Sequence, residues 1–177
     1  MMLEEEVILV NEFDEVQGYI PKLEAHQKGL LHRAFSVFVF NDNGELLLQK
    51  RADDKYHSPG LWSNTCCSHP RKDEITHHAA LRRLQEEMGI QTSLQFLYSF
   101  IYNEPLGNGL FEHEFDHVFV GRSSIEPIVN SEEVSSWKYI SIPRLVEDVK
   151  QHPEQYTIWF RISLPVILKK LNTLNNI

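Results

Sequence analysis

The stretch at residues 33–40, RAFSVFVF, constrains the fold more than any other. Aromatic and β-branched side chains occupy both parities, so a strand here presents apolar groups to both faces of its sheet and needs a covering layer on each. A hairpin with one face in water cannot satisfy it. Asn41-Asp42-Asn43-Gly44 is a turn signal, and Leu46-Leu47-Leu48 beyond it completes a hairpin. Residues 73–88 supply a covering helix in which Ala80, Leu84 and Met88 share one face. Asp73 and Thr76 are its N-cap candidates, Gly89 suits its C-terminal cap, and Arg83, Glu86 and Glu87 fall off the apolar stripe.

Around this centre, residues 7–10 read as an N-terminal strand followed by a turn-like stretch at 11–18. Residues 94–103 and 110–120 form a second strand pair joined by a glycine-containing turn at 105–109, and the tail from Pro153 onward is helical with a break or kink near Pro165. Residues 54–70 hold two prolines and a glycine with few apolar repeats, as in a long structured loop of the kind that often carries function. No repeat, linker or low-complexity segment interrupts the 177 residues, so one domain over 1–177 is expected. The order of strands, helix, strands and terminal helices points to α/β layers around a mixed sheet.

Seventeen basic against 25 acidic residues give a net charge of −8, which argues against nucleic-acid or anionic-membrane binding. An anionic small substrate then needs a local basic pocket or metal ions. Cys66 and Cys67 are adjacent, so a loop-closing disulfide between them is implausible, and free thiols in a reducing compartment are expected. Residues 1–6 are acidic where a secretory leader is basic, and no apolar run approaches a membrane span. A soluble, cytoplasmic protein is the expectation.

Residues of chemical interest gather in four places. In Trp62-Ser63-Asn64-Thr65-Cys66-Cys67-Ser68-His69-Pro70, a thiol two residues from an imidazole suits a nucleophile, a metal ligand or a proton donor. A packing cysteine beside an incidental histidine fits that segment equally well, and Cys66 is the better candidate for packing. In Phe111-Glu112-His113-Glu114-Phe115-Asp116-His117, the period of a strand puts Glu112, Glu114 and Asp116 on one face. Such a stripe is commonly a solvated edge, but a cation can also hold two of the carboxylates together. His26 and His32 alone form no ligand spacing; with His69, Glu112 and Glu114 they make a nitrogen and oxygen set suited to zinc, manganese or a similar ion. His57, His77, His78, His113, His117 and His152 are expected to be structural or at the surface.

The fourth place is the helix. Glu74, Arg82, Leu84, Glu86, Glu87, Gly89 and Ile90 match a Nudix box, the motif that sets glutamates around magnesium and a diphosphate. Ser68 stands where the box begins with glycine, and Arg83 replaces the first glutamate of its core. Losing that carboxylate argues against pyrophosphate hydrolysis and offers phosphate a positive charge instead, although an Arg and a Glu four apart on a helix are also a common surface ion pair.

Taken in order, HRAFSVFVFN, LLLQKR, the PGLW and NTCCSHP segments, LRRLQEEMG and EHEFDHVF resemble the metal-dependent, type 1 isopentenyl-diphosphate isomerases of the Nudix superfamily, from about the first strand to Trp159. The resemblance implies an α/β fold, a Nudix-like α/β/α sandwich with a mixed sheet, an N-terminal strand extension and C-terminal helices. It implies Cys67 and Glu114 as the acid/base pair, assisted by Tyr102. It implies that His26, His32, His69, Glu112 and Glu114 hold a divalent ion, Mn2+ or Zn2+, while Glu87 holds a Mg2+ that touches the substrate diphosphate. Lys22, Arg51, Lys55 and Arg83 would bind that diphosphate, and Trp159 would lie near the reacting alkene. The implied reaction interconverts isopentenyl and dimethylallyl diphosphate, a prenyl-diphosphate substrate being the partner. The alternatives are a Nudix-type diphosphate hydrolase, which Arg83 disfavours, and a non-catalytic metal-binding or diphosphate-sensing module.

Overall fold

The structure, a computed structural model, describes residues 5–174. Strands β1 (Glu6–Val10) and β2 (Val16–Pro21) form an antiparallel pair at one edge of the sheet. The expected turn at 11–18 is therefore shorter, and its last residues belong to β2. A short helix, α1 (Lys22–Lys28), follows and stops at Gly29, whose φ of 62° is left-handed. Next come β3 (His32–Phe40), β4 (Leu46–Arg51), β5 (Trp62–Ser63), β6 (Cys66–Ser68), α2 (Thr76–Met88), β7 (Leu94–Gly107), β8 (Leu110–Arg122), β9 (Val134–Ile140), α3 (Ile142–Gln151), a 3-10 turn at Pro153–Gln155 and α4 (Ile158–Leu174).

β3 is the hub of a mixed sheet. It runs parallel to β8 from His32–Glu114 to Phe40–Arg122 and antiparallel to β6, and it touches β4 only at Phe40–Leu46. The expected hairpin therefore opens like a fork: β4 leaves to pair with β5 and β9, and β6 takes the vacated edge of β3. Thr65 braces the fork, its hydroxyl donating to the Leu47 carbonyl at 2.6 Å and accepting from the Val39 N–H at 2.9 Å. Asn64 adds amide bonds to the Val37 and Cys66 carbonyls. These buried bonds satisfy backbone groups that a plain hairpin would pair itself. They also set two short strands, β5 and β6, within the expected loop at 54–70, which is otherwise irregular.

Both faces of β3 are covered, as its sequence demands. Phe35, Val37 and Val39 pack with Ala79, Ala80, Leu84 and Met88 of α2, while Phe38 packs with Leu145 of α3 and with Phe160, Leu164 and Ile167 of α4. The result is an α/β/α sandwich. Helix α2 starts at Thr76 rather than at 73, with Ile75 in the cap position and no capping side chain; Asp73 takes a left-handed φ of 61° and accepts from the Tyr19 hydroxyl instead. Gly89 ends α2 at a φ of 66°, and a Cβ there would lie 2.7 Å from the Ile128 carbonyl oxygen, so glycine is required twice over. Helix α4 continues through Pro165. No helix among the described residues is long and apolar enough to cross a membrane.

Candidate active site and metal centre

The site is built on one face of β8. Glu112, Glu114 and Asp116 share that face, as the strand period requires, but all three are buried. The solvated-edge alternative fails because β8 is flanked by β3 and β7. Register then selects the neighbours of Glu114, which are His32 on β3 and Tyr102 on β7. The Tyr102 hydroxyl donates to Glu114 Oε2 at 2.6 Å, and His32 Nε2 lies 3.7 Å from Glu114 Oε1. β6 runs antiparallel to β3 with Ser68 opposite Phe35, which brings His69 back toward His32, and His69 Nε2 sits 2.9 Å from Glu114 Oε1. His26, from α1, reaches Glu112 with Nε2 at 3.0 Å from Oε1.

His26, His32, His69 and Glu112 each offer a ligand atom, all within 4.8 Å of one another. The set passes a stricter test of fit to a cation. His26 Nε2, His32 Nε2, His69 Nδ1 and Glu112 Oε1 are buried and have no hydrogen-bond partner. Leaving such atoms unsatisfied costs on the order of 1–3 kcal/mol each, a cost that a bound cation removes. Burial holds the imidazoles neutral, with His26 pulled down to about 4, His32 to about 3 and His69 well below its usual range. Neutral imidazole is the ligating form. The carboxyls respond in the opposite sense, Glu112 being pushed up by burial and Glu114 by burial and by Glu112 beside it. A buried group of this composition suits a divalent cation.

In front of this cluster lies a cleft of about 330 Å³, in the range of small-ligand sites. Cys67, Tyr102, Glu112, Glu114, His69, Glu87, Lys22, Arg51, Lys55, Arg83 and Trp159 all line it, with His26 and His32 buried behind. Cys66 points away into the core beside α2, as expected. Burial pushes the Cys67 thiol up to about 12, so it carries its proton near neutrality. Trp159 comes from α4 and is fixed by its indole N–H, which donates to the Ser63 hydroxyl at 2.9 Å.

The cations divide unequally. Lys22 pairs with Glu5, Lys55 with Glu133, and Arg83 with Glu86, Glu87 and Glu133. Arg51 has no carboxylate partner among the described residues; it donates to the His57 and Ser58 carbonyls and lies 5.3 Å from the Trp159 ring centroid. Glu87 is buried rather than set off on the outer side of α2, its oxygens held by Arg83 and by Gln49 at 2.8 Å.

Residues 30–160 match the NUDIX domain model. The chain is 49% identical to Isopentenyl-diphosphate Delta-isomerase 2 of Aromatoleum aromaticum over 166 residues, which is 94% of this chain and 88% of that protein. It is 50% identical to Isopentenyl-diphosphate Delta-isomerase 2 of Photorhabdus laumondii, over 90% of each. The chain belongs to the isopentenyl-diphosphate Delta-isomerase family, in the NUDIX superfamily. A solved structure from Deinococcus radiodurans superposes with a TM-score of 0.69 over 83% of this chain and 90% of that one, at 24% identity, a likeness of fold. Membership of the isomerase family fits the departure of α2 from a hydrolytic box, since Arg83 fills the place of a carboxylate and neutralises Glu87.

Sequence reasoning missed His57, which was expected to be structural or at the surface. It is 8% exposed and lines the cleft, with Nε2 3.9 Å from Glu112 Oε2. Its one sequence signal was its place in the short run between Arg51 and Trp62. Three of the other histidines are structural, His77 bonding to the Leu94 carbonyl, His113 to the Gly29 carbonyl and His117 to Asp14.

Proposed function

We propose that this chain interconverts isopentenyl diphosphate and dimethylallyl diphosphate by adding a proton at one end of an unactivated double bond and removing one two carbons away. The observation that carries the proposal is the convergence of Cys67, the Tyr102–Glu114 pair and Trp159 on one cleft. Cys67 and Glu114 act as the acid/base pair. Because the reaction is reversible, the group that donates in one direction accepts in the other. The pair requires opposite protonation states during turnover, and burial, which favours the neutral form of both, is offset at Glu114 by its donors and by a cation. Tyr102 keeps its proton, since burial and the adjacent Glu114 push its pKa up, and so remains a donor to Glu114.

His26, His32, His69, Glu112 and Glu114 would hold one divalent ion, Mn2+ or Zn2+, and Glu87 would hold a Mg2+ for the diphosphate in place of its present pairing with Arg83. When bound, these ions supply positive charge that fixes the Glu114 carboxylate and neutralises phosphate oxygens. Arg51 has no carboxylate partner among the described residues and takes the diphosphate together with Lys22, Lys55 and Arg83. Trp159 offers its π-face to the tertiary cation formed in the cleft. The whole chain serves as one domain in the cytoplasm, acting on this small substrate rather than on nucleic acid or a membrane.

Hydrolysis is the competing activity, and the pairing of Arg83 with Glu87 weighs against it. Incubation of the metal-loaded protein with isopentenyl diphosphate separates the two. Dimethylallyl diphosphate is the expected product, and phosphate release without it would refute the proposal.

A further inference from the structure

Tyr56 and His57 have no part in the chemistry above, yet both touch the histidine and carboxylate cluster. The Tyr56 hydroxyl lies 2.5 Å from His26 Nδ1. A histidine that gives one ring nitrogen to a metal donates the N–H of the other to an outer partner, which fixes tautomer and ring orientation. His32 finds that partner in the backbone, where Nδ1 lies 2.8 Å from the Leu30 carbonyl oxygen. His26 has no carbonyl in that role among its hydrogen bonds, and Tyr56 stands in the equivalent place. With Nδ1–H donating to Tyr56 Oη, the Nε2 of His26 is a bare lone pair facing the cluster.

His57 packs beside the same contact. Glu112 Oε1 is turned to His26, and burial keeps the His57 ring neutral with Nε2 3.9 Å from Oε2, beyond hydrogen-bond reach. The His57 ring stands edge-on to His26, with centroids 5.4 Å apart, and edge-on to Trp159 at 5.9 Å. Its Nδ1 is buried without a partner. The backbone that presents both side chains is itself held, because Arg51 donates to the carbonyls of His57 and Ser58 at 3.2 and 3.1 Å. Ser58 takes a left-handed φ of 48°, a conformation that persists in a non-glycine residue only when its surroundings impose it.

We propose that Tyr56 and His57 are positioning residues of the metal centre: Tyr56 fixes the His26 tautomer that offers Nε2, and His57 holds the His26 ring in place by packing edge-on against it. The same short segment supplies the carbonyl partners of Arg51, so it links the metal cluster to the diphosphate end of the cleft. This inference rests on the metal reading of the cluster.

Co2+ is the probe, titrated into metal-stripped full-length protein and followed by its visible absorption and by competition with a chelator. Tyr56→Phe removes one oxygen from a side chain that is 47% exposed, so the stripped protein keeps the wild-type Tm. Its Kd for Co2+ rises by about 10- to 100-fold, the usual effect of losing an outer partner, with an altered visible spectrum. His57→Ala weakens Co2+ binding likewise, and His57→Phe, which retains a ring against His26, restores part of the affinity. Affinities within about twofold of wild type in both Tyr56→Phe and His57→Ala would overturn the inference while leaving the metal site standing. A wild-type protein that takes up no Co2+ would overturn both together.

Discussion

Replacing Tyr102 with phenylalanine isolates one hydrogen bond at the reacting end of the cleft. The hydroxyl donates to Glu114 Oε2 at 2.6 Å, and both side chains are largely buried at the wall of the cleft. Hydrogen bonds to charged groups contribute about 1.5–3 kcal/mol. If the bond acts in the transition state, its loss lowers kcat by about 10- to 150-fold. The rest of the ring stays in place, because Phe100 stacks on it with centroids 5.5 Å apart, and the Tm should move little. The diphosphate cations are untouched, so KM should change by less than about threefold, and a fall confined to kcat marks an interaction specific to the transition state. Steady-state kinetics of isopentenyl diphosphate conversion, with Tm as the control for folding, decide the matter. An unchanged kcat, or a raised KM at unchanged kcat, would refute the role given to the Tyr102–Glu114 bond.

Two further outcomes are expected. Cys67→Ala removes a half-buried thiol and leaves the fold intact by circular dichroism, but activity falls by about 10²-fold or more, as for loss of a proton-transfer group, and activity near wild type would remove Cys67 from the mechanism. The buried imidazoles should stay neutral into acid. Burial lowers His26 to about 4 and His32 to about 3 from an ordinary value near 6.5, so as pH falls the metal is released by protonation of Glu112 and Glu114, which burial raises, before the imidazoles take up protons. NMR titration of the histidine ring nitrogens in the metal-stripped protein reads this directly, and titration near 6.5 would show that the imidazoles are not buried as described.

How much of this was legible in the sequence depends on how local each signal was. RAFSVFVF required cover on both faces, and it has α2 on one side and α3 with α4 on the other. The alternation Glu112, Glu114, Asp116 put three carboxylates on one face, and only the flanking strands β3 and β7 made that face interior. Strand β9, Val134–Ile140, went unseen although Val134, Trp137, Tyr139 and Ile140 favour strands, because what fixes its place is pairing with β4, remote in sequence. Helix α1 is 7 residues long, too short for an apolar period to show, although it delivers His26. The strands β5 and β6 exist because Asn64 and Thr65 brace the fork between β3 and β4, a tertiary cause with no local periodicity. His57 is buried by its meeting with His26 and Trp159, residues remote in sequence, and nothing in its neighbourhood announces that.

Two groups on one cleft, rather than a single shuttling group, form the central claim, and deuterium NMR of the product tests it most directly. If Cys67 and Glu114 divide the work, the proton delivered differs from the proton removed and exchanges with solvent between turnovers. Isopentenyl diphosphate turned over in D2O by the metal-loaded protein should give dimethylallyl diphosphate carrying solvent deuterium in its new methyl group. Dimethylallyl diphosphate formed without deuterium would mean that one group carries the same proton across the double bond, contrary to the paired roles of Cys67 and Glu114.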